Sequence, residues 1–374
     1  MQQSLSFRWE VAVVLIGPII VSLTVIPLYI LISGISPWVW LMFFVFMMWN
    51  GLSITAGYHC LWSHKSYQVH PIIRSIFALG GALAIQNSIL QWCSNHRQHH
   101  RDTDDIDADP YSIRGGFFYA HVGWMLRDYP SSRTDYANVR DLREDPIAAW
   151  QHRWYWPLVL TMNLGLIAAL GWLAGDILGA LLIAGVLRLA LCHHCTFFIN
   201  SLAHYWGQQP YSDANSSRDN PIIALLTYGE GYHNFHHTFQ WDYRNGHCWY
   251  HFDPTKWLIR GLSVIGLAGS LKQVSPVQVE SATAAMQLKR ATDRIRHGQL
   301  MNTAERINLL KAENDSLMTT LDEWSAIRSE WLSARADNLH QRWERTQFRN
   351  QLREIENQLR EQRRQWRILT AQFA

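Results

Sequence analysis

From Val11 to Ser33 the chain is apolar and carries no charge, a run of about the length needed to cross a hydrocarbon core. It begins too early and runs too long for a cleaved leader, so it is expected to stay in the protein. After the break Gly34-Ile35-Ser36-Pro37 a second apolar run, residues 38–58, predicts a return crossing. Two more runs, 156–175 and 177–206, are joined by little more than Asp176 and predict a second pair. A fifth stretch, 72–90, is nearly long enough to span but contains Arg74, Gln86, Asn87 and Ser88, and reads as a helix on the membrane surface. Topology supports that reading, because a crossing there would put the histidine-rich segments on either side of it on opposite faces of the membrane.

The pattern changes near Val277. Beyond it the chain is rich in Arg, Gln, Glu and Leu, and has no proline after Pro276. Leu310, Leu317, Trp324 and Trp331 recur every seven residues, as do Leu352, Leu359 and Trp366. Asn314, Arg328 and Gln362 interrupt the companion stripe, which favours a helical hairpin or a self-association coil over one continuous zipper. The expected organisation is a membrane domain over 1–277 and a charged, coiled-coil-like helical extension over 278–374.

Composition supports this division. The 374 residues are 48% hydrophobic and 17% charged, with 19 tryptophans, which suits a membrane protein. The mean hydropathy of -0.13 averages the apolar body with the charged extension. A formal charge of +3 is too small for a nucleic-acid binder, and five scattered cysteines do not make a disulfide framework. The two short outer connections lack Lys and Arg, whereas residues 97–153 are rich in Arg. The positive-inside rule therefore puts both termini, the polar loops and the histidines in the cytoplasm. A bacterial inner membrane and an endoplasmic reticulum both fit.

The chemistry is signalled by the histidines. They cluster as His59 and His64, as His96, His99 and His100, and as His233, His236 and His237, with His204 near the end of the fourth run. In HxxHH the three imidazoles share one helical face, which is metal-ligand spacing. His59 and His64 would diverge by roughly 140° on an ideal α-helix, so the chain is expected to leave helical geometry near Cys60-Leu61. Nine imidazoles suit two metal ions of about five ligands each. Zinc has no accessible redox change, so an all-imidazole pair facing a bilayer points to iron, dioxygen and a substrate with an unactivated alkyl chain.

TAGYHCLWSH (Thr55 to His64), NHRQHHRDTDDIDADPYSIRGGFFYAHVGW (Asn95 to Trp124), NSLAHYWGQQPY (Asn200 to Tyr211) and GEGYHNFHHTFQWDYRNG (Gly229 to Gly246) closely resemble the membrane acyl-CoA desaturases of the stearoyl-CoA Δ9 type, over roughly residues 10 to 275. The resemblance implies an all-α integral-membrane fold of four transmembrane helices under a cytoplasmic cap. It implies a di-iron centre with His59, His64, His96, His99, His100, His204, His233, His236 and His237 as ligands and Asn200 meeting a metal through water. It also carries Gln86, Trp92 and Thr196 to the bend of an acyl tunnel, and Met47 and Gly51 to its closed end, where bulk limits chain length. The expected reaction is insertion of a cis double bond, at Δ9, into a long-chain acyl thioester with dioxygen and two external electrons. A hydroxylase or alkane monooxygenase of the same histidine class and an acyl-lipid desaturase are the alternatives.

This chain departs from the animal pattern at Ser94-Asn95, where those members carry Arg-Asp, and at Arg127-Asp128, where they carry a basic pair. Fewer cations weaken the case for CoA and leave acyl-carrier protein or phospholipid in view. There is no HPGG haem-binding sequence, so a separate electron donor is expected, of ferredoxin or cytochrome b5 type with its reductase. Cys192-His193-His194-Cys195 reads as a packing patch inside the fourth crossing, and Arg188 as facing the protein interior. The Asp102 to Asp109 run reads as outer support for ligand imidazoles. His70, His121, His152, His247, His251, His297 and His340 lack cluster spacing and read as structural or solvated.

Overall fold

The computed structural model describes residues 5–298, 302–336 and 342–372. Among the described residues, four helices are long and apolar enough to cross a membrane: Trp9–Ser33, Pro37–Ser63, Tyr155–Leu173 and Ile177–His204. These are the four expected crossings, the second extended to Ser63. They leave Val13, Ile20, Leu31, Phe44, Leu160 and Leu178 exposed, as a hydrocarbon solvent permits and water does not. Ser36 starts the second span by accepting from the Trp38 amide, with Pro37 in the first turn. Asp176 starts the fourth by accepting from the Gly179 amide at 2.7 Å, and it also receives the Tyr29 hydroxyl at 2.7 Å.

Arg188 does face the interior. Its guanidinium donates to the Ala184 carbonyl at 2.7 Å, the Leu83 carbonyl at 3.2 Å and Asn163 Oδ1 at 2.7 Å. Each buried acceptor left unmade costs about 1–3 kcal/mol. Arg188→Met is therefore expected to lower the melting temperature in detergent by several degrees, read by fluorescence size-exclusion after heating. Unchanged melting would contradict this account.

The expected surface helix over 72–90 ends early, at Ala84. Phe77, Ala78 and the run from Gly80 to Ala84 are buried and pack against the second span, while Ile72 and Ile76 on this half stay exposed. Gly81 permits that approach, since a Cβ there would lie 2.2 Å from the Tyr58 ring. Ile85 and Asn87 then take left-handed backbone angles, φ 51° and 73°, and the next helix, Ile89–Asp102, departs at 83°. Gln151 holds the corner, its Oε1 accepting from the Ile89 amide at 3.0 Å and its Nε2 donating to the Tyr58 hydroxyl at 2.7 Å. The corner puts Gln86 at a bend and aims the first HxxHH helix inward.

The chain divides into two compact units, residues 1–209 with 214–273, and residues 210–213 with 274–374. In the second, Pro276–His297 opens with a capping box between Ser275 and Gln278. It packs with Thr303–Ala336 and Arg342–Ala371 around Ala291, Ile295, Leu310, Leu317, Leu359 and Trp366. Leu310, Leu317, Leu359 and Trp366 of the heptads are thus spent on a core within one chain, in a bundle of three helices where a hairpin or a self-association coil was the expectation. Trp366 Nε1 donates to Gln287 Oε1 at 2.6 Å, and Arg363 pairs with Glu280 at 2.5 Å.

Candidate metal centre

The second span does not leave helical geometry at Cys60-Leu61. It widens into a π-helix over Ser53–Ser63, and the His64 amide donates to the His59 carbonyl at 3.1 Å. The i→i+5 bonding of a π-helix brings residues five apart onto one face, which corrects the divergence expected from α-helical geometry. His59 and His64 then face the helix Ile89–Asp102, which supplies His96, His99 and His100, and the short helix His233–Thr238, which supplies His233, His236 and His237. His204 closes the fourth span.

All nine histidines converge, and they sort into two groups. One gathers His59, His64, His96, His100 and His236; the other gathers His99, His204, His233 and His237. Within the first, Nε2 atoms are 2.8 Å apart for His59 and His236, 2.8 Å for His64 and His96, and 3.0 Å for His236 and His100. Within the second the spacings are 3.3 Å for His99 and His237, 3.1 Å for His233 and His204, and 3.1 Å for His237 and His233.

Several of the outward nitrogens are held from behind. Glu230 Oε1 lies 2.7 Å from His59 Nδ1, Asp109 Oδ1 lies 2.9 Å from His99 Nδ1, and Ser216 Oγ lies 2.8 Å from His204 Nδ1. Ser216 is itself anchored by Asp104, whose Oδ1 accepts from its hydroxyl at 2.5 Å. With a proton on each supported Nδ1, Nε2 is left as a lone pair aimed inward. Ligands on metal–nitrogen bonds of ~2.0–2.1 Å lie roughly 3 Å apart, so the observed spacings fit a metal-binding set. Burial, followed by the charge of neighbouring imidazoles, holds His64, His96, His100, His236 and His237 well below the usual histidine range, in the neutral form a metal requires.

Of the aspartate run, Asp109 and Asp104 provide the expected outer support. Asp102 pairs instead with Arg101, and Asp105 accepts from the Asp107 and Ala108 amides. Glu230 and Ser216 escaped the sequence reading. The signal for Glu230 was a carboxylate three residues before His233 within the motif itself.

A cavity of about 350 Å³ opens beside the imidazoles. Gln86, Trp92, Thr196 and Asn200 line it together with His59, His96, His99 and His233. Gln86 Nε2 donates to Thr196 Oγ1 at 2.9 Å, and Trp92 stacks on His96 with centroids 4.8 Å apart. Val11, Val14, Leu15, Met125, Phe197 and Ile199 add apolar wall, while Arg8, Glu10, Gln91 and Asn95 add polar groups. Met47 and Gly51 lie elsewhere. The Tyr228 ring occupies the space a Gly51 Cβ would need, and its hydroxyl donates to the Met47 carbonyl at 2.8 Å.

Arg97 holds the first two histidine segments together. It donates to the Trp62, Ser63 and Asn138 carbonyls at 2.8, 3.1 and 2.7 Å and forks onto Asp141 at 2.8 and 3.0 Å. Burial alone would raise the Asp141 carboxyl, but Arg97 and Lys65 hold it well below the usual carboxylate range. A depressed native pKa contributes stability above the ordinary carboxylate range that disappears as pH falls through the native value. Arg97→Lys cannot reproduce the fork, and its melting temperature is expected to drop at pH 7 and less at pH 3. Equal drops at both pH values would contradict the pairing.

Cys192-His193-His194-Cys195 is a packing patch, with His193 Nε2 2.9 Å from the Ala84 carbonyl and His194 Nδ1 2.9 Å from His121 Nε2. His152 sits 2.6 Å from Ser88 Oγ, and His70 accepts from the Ile72 amide. His340 lies outside the described residues.

The fatty acid desaturase family model matches residues 8–264. The probable acyl-CoA desaturase of Schizosaccharomyces pombe is 44% identical over 248 residues, 66% of this chain and 51% of that protein. Acyl-CoA desaturase 1 of Saccharomyces cerevisiae is 43% identical over 243 residues, 64% of this chain and 47% of that protein. The stearoyl-CoA desaturase of Bos taurus is 36% identical over 250 residues, 66% of this chain and 69% of that protein. The chain thus spans about half the length of the fungal relatives it matches. Because the matched stretch holds every one of the nine converging histidines, resemblance and geometry meet in the same residues, and the chain belongs to the fatty acid desaturase family.

Proposed function

We propose that this chain is a membrane fatty acyl desaturase that inserts a cis double bond at Δ9 into a long-chain acyl-CoA. The observation that carries the reading is the apolar-walled cavity ending on four of the nine imidazoles. Such a shape takes an alkyl chain and presents its methylenes to a redox metal pair. Two iron ions are the cofactor, the first held by His59, His64, His96, His100 and His236. The second is held by His99, His204, His233 and His237, with Asn200 contributing through water. Bound iron with dioxygen and two electrons supplies the oxidising power that an unactivated C–H bond requires.

The protein's own part is positioning. Gln86 and Thr196 form the polar corner at the bend, Trp92 packs a ring beside His96, and the apolar wall excludes water, so regioselectivity follows from which two carbons reach the metals. The acyl-CoA assignment rests on the relatives' names. Ser94 is buried, its one hydroxyl proton shared between the Asp135 carbonyl and Asn138 Oδ1 at 2.8 and 2.7 Å, whereas Arg8 lines the cavity wall. Met47 and Gly51 do not line the cavity, and their role in limiting chain length rests on the resemblance alone; Met47→Trp is expected to shift the products toward shorter chains, and an unchanged ratio of 16- to 18-carbon products would remove that role.

The membrane domain occupies 1–277, with the termini and the metal centre on the cytoplasmic side and electrons arriving from a ferredoxin- or cytochrome b5-type donor. The extension over 278–374 has its own core and is dispensable for chemistry. A chain ending at Gln273, expressed with a compatible donor in an unsaturated-fatty-acid auxotroph, is expected to restore growth and yield Δ9 monoenes located by mass spectrometry. Hydroxylated chains would instead support the monooxygenase reading, and failure of the shortened chain alone would make the extension part of the catalytic unit.

A further inference from the structure

His247 and His251 do not stand apart, as their spacing in the sequence suggested. One ring nitrogen of each and Cys248 Sγ lie within 4.8 Å of one another, and Cys248 Sγ is 3.2 Å from His247 Nε2. From these three donors we propose a separate mononuclear site for a thiophilic divalent ion of the zinc type, with a fourth position open to solvent. Two imidazoles and a thiolate form a soft, tetrahedral-type donor set unlike the all-imidazole centre. All three side chains are half-buried, within reach of an ion from water, and His251 Nδ1 is buried with no partner.

The loop is built to hold that arrangement. Asp253 accepts from the Asn245, Gly246 and Lys256 amides at 2.8, 2.9 and 2.9 Å. The Lys256 ammonium donates to the Gly246 and Cys248 carbonyls at 2.7 and 2.8 Å. The turn therefore spends its backbone on Lys256 and Asp253 and leaves the side chains of His247, Cys248 and His251 to gather. Burial, joined by Arg244 for His247 and by His247 for His251, pushes both imidazoles down to about 4, so both are lone-pair donors near neutrality. On binding, the Cys248 thiol loses its proton to solvent and the thiolate joins the metal.

The site also has a mechanical consequence. His247 stacks on Phe235 with centroids 5.0 Å apart, and His251 on Tyr232 at 4.2 Å. Phe235 lies between His233 and His236, and Tyr232 precedes them. An ion joining His247 to His251 braces that ligand helix from behind.

Cobalt(II) tests the site, because a thiolate-to-cobalt charge-transfer band needs a cysteine ligand and the all-imidazole centre has none. Full-length protein is produced in zinc-depleted, cobalt-supplemented medium and purified in detergent. The expected result is a near-ultraviolet charge-transfer band of one equivalent, lost in Cys248→Ser and lost or markedly weakened in His251→Gln. Two variants guard against misfolding of either, with a monodisperse size-exclusion peak as the criterion. No band in the wild type, or an undiminished band in either folded variant, overturns the site.

Discussion

Replacing His236 with alanine is expected to abolish desaturation while leaving the protein in the membrane. His236 Nε2 lies 2.8 Å from that of His59 and 3.0 Å from that of His100, so it links two of the segments that form the five-histidine group. Loss of a proposed direct ligand should exceed the roughly 10–100-fold effect on metal affinity that follows loss of an outer partner. Insertion depends on the four apolar spans, whose caps and lipid faces His236 does not touch. Metal content per chain and the monoene fraction of membrane lipids, measured beside an immunoblot of the membrane fraction, separate these effects. Wild-type monoene yield from the mutant would refute the ligand assignment.

Glu230 is expected to produce the next largest effect, acting through His59. Its carboxylate is buried, 2.7 Å from His59 Nδ1. Glu230→Ala leaves the imidazole free to rotate and to protonate at the wrong nitrogen. Iron affinity should fall by roughly 10–100-fold, with turnover falling in proportion. Glu230→Gln keeps an oxygen for the Nδ1 proton and should recover most of the affinity, whereas a residue that merely fills space would not be rescued by Gln in preference to Leu. KM for the acyl substrate should stay unchanged in iron-saturated protein. A rise in KM with normal iron content would move Glu230 from positioning the metal to binding substrate.

The four spans and the two HxxHH helices were legible because each depends on a local period: twenty uncharged residues for a bilayer, three imidazoles on one helical face. The first pair was legible as histidines and misread as geometry. An interval of five residues signals divergence on an α-helix, and no local residue in Ser53–Ser63 announces the wider π turn that removes it. The same holds for 72–90, where hydropathy supported one continuous helix and the packing of Gly81 on Tyr58 goes with a half-buried helix, a left-handed corner and a new direction.

Sequence alone therefore determined which residues are apolar, which are imidazole and at what intervals, and hence the class of fold, the number of crossings and the nine candidate ligands. Tertiary structure decided how the nine divide into five and four, because that division runs across helices far apart in the chain. It also decided that Glu230, Asp109 and the Ser216–Asp104 pair stand behind particular imidazoles. The heptads became a core within the chain, and His247, Cys248 and His251 drew together around the turn that Lys256 and Asp253 hold. In each case the deciding interactions are contacts between distant segments or bonds to backbone atoms, and neither leaves a periodic trace in the order of residues.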